Sequence, residues 1–67
     1  MPTVRLMSVV EYMRGEFRES PGLRLTRGQI QRLWNLDAED CRFAVQDLLD
    51  VRFLREGRDG TFVRRFD

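Results

Sequence analysis

Sixty-seven residues, 42% hydrophobic and 34% charged with a formal net charge of +1, describe one folded domain (residues 1–67) and not a disordered chain. A chain this short buries only about 60% of its unfolded surface, so it stands to gain stability from any partner that binds the folded state. The absence of histidine and the single cysteine exclude an internal disulfide and remove the usual metal ligands and the usual general base.

The first element is "MSVVEYMRGEF". Leu6, Val9, Val10, Met13 and Phe17 fall at i, i+3, i+4, i+7 and i+11, which is one face of a helix. Ser8 and Glu11 have capping-box spacing and place the helix start at Ser8; Thr3, after Pro2, is the alternative cap. "SPG" at 20–22 breaks the helix, because a proline disfavours helical backbone in the residue before it. "LRL" at 23–25 then alternates apolar and polar side chains as a short strand does.

A second helix begins at Thr26, which forms a capping box with Gln29, and Ile30, Leu33 and Trp34 make its expected buried face. Asn35 suits a left-handed turn, Leu36 is expected to turn inward, and Asp37 caps a third helix over 38–50. Cys41, Val45, Leu48 and Leu49 form the apolar stripe of that helix, with Cys41 read as a small core residue and not a reactive thiol. Two short runs, "FLRE" and "TFVRR", flank the glycine-bounded loop "GRDG" and predict a hairpin over 53–65.

Helix, short strand, helix, turn, helix and hairpin give an α+β chain with a helix-turn-helix core. The pattern L-T-x-x-Q-I-x-x-L-W-N-L-D at 25–37, C-x-x-x-V-x-x-L-L at 41–49 and F-L-R-E-G-R-D-G-T-F-V at 53–63 resembles the winged-helix DNA-binding domains of bacterial transcription regulators. The resemblance covers about residues 8–65. It implies a two- or three-stranded antiparallel wing, with "LRL" as the third strand, and double-stranded DNA as the partner. Thr26, Arg27 and Arg58 then meet the backbone, while Ala38, Glu39, Arg42, Phe43 and Gln46 face base edges in the major groove.

Charge complicates that expectation. Residues 18–34 carry four arginines against one acid, residues 35–51 five acids against Arg42, and residues 52–67 five arginines against three acids. On the third helix, Asp37, Glu39 and Asp40 suit the cap and the positive end of the helix dipole. Asp47 and Asp50 do not, unless they pair with Arg52, Arg55 or other arginines. At about 100° per residue, Glu39, Phe43, Gln46, Asp47 and Asp50 lie opposite the stripe, with Phe43 near the middle and Arg42 on a flank. The alternative reading makes Glu39, Phe43, Asp47 and Asp50 a protein interface, for a partner protein or a homodimer, with an aromatic anchor inside a charged rim.

Catalysis has no support in the chain: there is no glycine-rich phosphate loop and no nucleophile–base pair, and no cofactor is implied. No apolar run approaches the roughly 18 residues of a membrane span, and a signal-peptide pattern is lacking, so the expected location is cytoplasmic.

Overall fold

The computed structural model describes residues 3–66; Pro2 and Asp67 of the expectations above lie outside them. The elements, in chain order, are α1 (Val4–Glu19), β1 (Arg24–Leu25), α2 (Arg27–Trp34), α3 (Ala38–Asp50), β2 (Leu54–Glu56) and β3 (Phe62–Arg64). The class is α+β, with three helices and a three-stranded antiparallel sheet ordered β1-β3-β2. Leu25 pairs with Phe62 on one side of β3, and Glu56 pairs with Phe62 on the other. The short strand read at 23–25 therefore does join the hairpin, over its last two residues.

The first helix starts at Thr3 and not at Ser8. Thr3 Oγ1 accepts the Leu6 N–H at 3.1 Å, and the extra turn carries Leu6 into the core. The second helix has the expected box: Thr26 Oγ1 accepts from Gln29 N at 3.2 Å, and Gln29 Oε1 accepts from Thr26 N at 2.8 Å. Asn35 is left-handed at φ 53°, which lets Leu36 N–H reach back to the Gln31 carbonyl at 2.9 Å and turns Leu36 inward. Asp37 Oδ1 then accepts from Asp40 N at 2.7 Å and starts α3.

The core is one cluster built from every element. Met13 and Phe17 of α1, Ile30 of α2, Val45 and Leu48 of α3, Leu54 of β2 and Phe62 of β3 are fully or almost fully buried. Two expectations about it fail. Leu33 is 61% exposed, because α2 turns its Ile30–Trp34 side inward, and it lines an open depression with Glu16, Leu23 and the half-buried Trp34. On α3 the side centred on Ala44 is buried as deeply as Val45, while Leu49 is only half-buried.

The end of α3 sets the position of the hairpin. Phe53 N–H bonds to the Leu48 carbonyl at 2.9 Å and Arg52 N–H to the Leu49 carbonyl at 3.0 Å. This is a Schellman closure, with Arg52 at φ 60° in the left-handed position that glycine usually takes. At the hairpin tip, Gly60 N–H closes on the Gly57 carbonyl at 3.1 Å with Gly60 at φ 81°.

Candidate interaction surface

On α3, the half-turns facing away from the core present Ala38, Glu39, Arg42, Gln46 and Asp50 to solvent. Glu39, Arg42, Phe43 and Gln46 line one shallow depression there. Ala38, Glu39 and Arg42 share a second. The sequence-derived group is thus brought together on one helix face.

Phe43 departs from its expected place. It is 39% exposed and sits at the edge of that face, leaning toward α1. With Met7, Val10, Glu11 and Asp47 it lines an open groove of about 270 Å³ between α1 and α3. Met7 is exposed, and so is Val4 one turn earlier on the same flank of α1.

The ion pairs expected for Asp47 and Asp50 do not form. Among the described residues the side-chain ion pairs are Arg14–Glu11 at 3.8 Å and Arg24–Asp59 at 3.6 Å. Asp50 instead accepts a hydrogen bond from Gln46 Nε2 at 2.8 Å. That bond uses one of the two amide N–H donors of Gln46. Among the described residues neither Glu39 nor Asp47 has a cation within ion-pair distance, although Glu39 sits in the first turn of α3, where the helix dipole favours a carboxylate.

The expected backbone contacts are spread over α2 and the hairpin. Thr26 is half-buried, with its hydroxyl serving the cap. Arg27 is exposed, with its guanidinium 5.2 Å from the centre of the buried Phe62 ring. Its carbonyl accepts from Cys41 Sγ at 3.6 Å, linking α2 to α3. Burial pushes the Cys41 thiol up, and the positive charge of Arg27 opposes this only in part, so the side chain packs as a neutral group. Arg58 is exposed at the hairpin tip. Its neighbour Asp59 is engaged elsewhere: its Oδ1 accepts from Thr61 Oγ1 at 2.6 Å and Thr61 N at 3.1 Å, and it pairs with Arg24. These bonds from Thr61 hold the Asp59 carboxyl below its ordinary range, with Arg24 adding to the effect.

Sequence reasoning missed a cationic cluster. Arg64, Arg14 and Arg18 place their guanidinium carbons 4.8, 5.5 and 5.9 Å from the centre of the Phe53 ring. Arg64 also lies 5.3 Å from the exposed Phe66 ring. The Nε atoms of Arg14 and Arg64 are shut from solvent without a hydrogen-bond acceptor, while the outer nitrogen of Arg14 pairs with Glu11. Residue 64 is distant in the chain from 14 and 18, and only the spacing of Arg14 and Arg18 on one helix face hints at the cluster.

Among the described residues, no group of three or more cysteine and acidic side chains gathers as a metal site, and no helix is long and apolar enough to cross a membrane. Comparison with protein-family models, with curated proteins and with solved structures gave no match, so the functional reading rests on the chain's own residues.

Proposed function

We propose that this chain is a winged-helix module that works through protein contact, docking on the outward face of α3 and the adjoining flank of α1. The winged-helix assignment is supported by the element order and by a hairpin completed by a strand from between α1 and α2. The observation that carries the partner class is charge. Among the described residues, Glu39 and Asp47 have no cation within ion-pair distance and Asp50 is hydrogen-bonded to Gln46, and Arg42 is the one arginine on the helix. Entry into a major groove would carry these carboxylates toward phosphates that repel them. The same face offers Phe43, Met7 and Val10 as an apolar groove beside Glu11 and Asp47, with exposed Val4 one turn before Met7, which is the make-up of a protein-binding patch.

A fluorescent random-sequence duplex titrated with the protein in low salt tests this. The expected outcome is no saturation below about 100 µM protein, the weak end of ordinary non-specific binding. Micromolar affinity that collapses as salt rises would overturn the proposal. One observation favours such DNA binding as a second reading: Arg27 and Arg58 are both exposed, beside the start of α2 and at the hairpin tip. In that case Arg27→Ala and Arg58→Ala should each reduce the slope of log K against log salt by about one unit.

A further inference from the structure

We infer that the occupant of the α1–α3 face is a second copy of this chain, paired antiparallel about a two-fold axis; the inference rests on the protein-contact reading above. α1 and the α3–Phe53 segment advance together along this face. Met7 and Glu11 meet Phe43 and Asp47 at one end. Arg14 and Arg18 meet Phe53, joined by Arg64, at the other. The α1 residues concerned, 7, 11, 14 and 18, follow the i, i+4, i+7, i+11 spacing of a single stripe. One face therefore carries an acidic, apolar half and a basic, aromatic half.

Such a face is complementary to itself only when reversed. Parallel stacking sets carboxylate on carboxylate and arginine on arginine. Rotation by two-fold symmetry sets the arginine end of each copy on the Asp47 end of the other, twice, and closes the assembly at two. Three guanidinium groups around one ring repel each other, and among the described residues the carboxylate within ion-pair distance of them is Glu11, 3.8 Å from Arg14. Among the described residues Asp47 has no cation within ion-pair distance. Each end thus lacks what the other supplies. Size sets the expected strength. With extents of 29 × 19 × 19 Å, the longest face gives roughly 500 Å² per copy, at the lower edge of specific interfaces. The dimer should be weak and concentration-dependent.

Sedimentation of the protein between about 10 µM and 1 mM tests this. Wild type should pass from monomer to dimer, with association at least several-fold weaker in high salt than in low salt. Asp47→Arg and Arg18→Asp should each weaken association at least tenfold while their melting curves show an intact fold. Mixing the two variants one to one should restore dimers, because both reversed contacts then carry opposite charges. A monomer throughout the range, variants that associate like wild type, a mixture that stays monomeric, or growth beyond dimers would each overturn the inference. The duplex titration separates the two proposals. A monomer that does not bind duplex removes self-pairing alone, and a monomer that binds it removes both.

Discussion

Arg52 holds a left-handed φ of 60° that costs an L-residue about 1 kcal/mol or more. Glycine adopts it freely, so Arg52→Gly should raise stability by about 0.5–1 kcal/mol despite the lost side chain. Urea melts check this: the midpoint should rise with the slope unchanged. Asp59 makes a prediction about pH. Its folded carboxyl is depressed by bonds from Thr61, so its contribution is complete above the ordinary aspartate value of about 3.9. That contribution is lost as pH falls through the lower folded value. Protection of the Thr61 amide, taken relative to its intrinsic exchange rate at each pH, should therefore fall in that acidic window, and Asp59→Asn should remove the change. At this scale the caps were legible, because Thr26–Gln29, Asn35 and Asp37 are residue types that bond locally. Arg52 was not, since nothing in an arginine marks a left-handed position that the tertiary fold imposes.

Helical phase is where the elements were read best and where one error mattered. The α1 stripe of Leu6, Val9, Val10, Met13 and Phe17 is buried in full, and Leu48 at the centre of the α3 stripe is wholly enclosed. Leu48→Ala should cost about 2–5 kcal/mol, a large share of what so small a domain has. A change below roughly 1 kcal/mol in denaturant melts would contradict the packing of α3. Phe43 shows the limit of the method. Its own helix period points it away from the core, but the flank that α1 covers depends on how two helices cross, which no single period encodes. Partial burial beside Met7 and Val10 makes Phe43→Ala cost about 1 kcal/mol, more than an ordinary surface change. Leu33 erred for the same reason, in the opposite direction.

For the whole molecule, the basic, acidic, basic order along the chain does not map onto three surfaces. Folding collects Arg14, Arg18 and Arg64 from separate segments onto Phe53, and draws Asp59 to Arg24. What persists from the sequence is the acidic α3, whose carboxylates stay without arginine partners. The α+β class was therefore open to pattern reading and the third strand to the winged-helix resemblance, whereas the sign-split face was not, because it is assembled by long-range packing. On this reading α1 and α3 together form the contact face. Amide NMR spectra recorded on dilution, and again with added duplex, probe that face residue by residue. Dilution should shift signals of residues 7–18, 43–47 and 53, while duplex should shift none. Signals that stay still on dilution but move at Thr26, Arg27, Arg42 and Arg58 with duplex would contradict it.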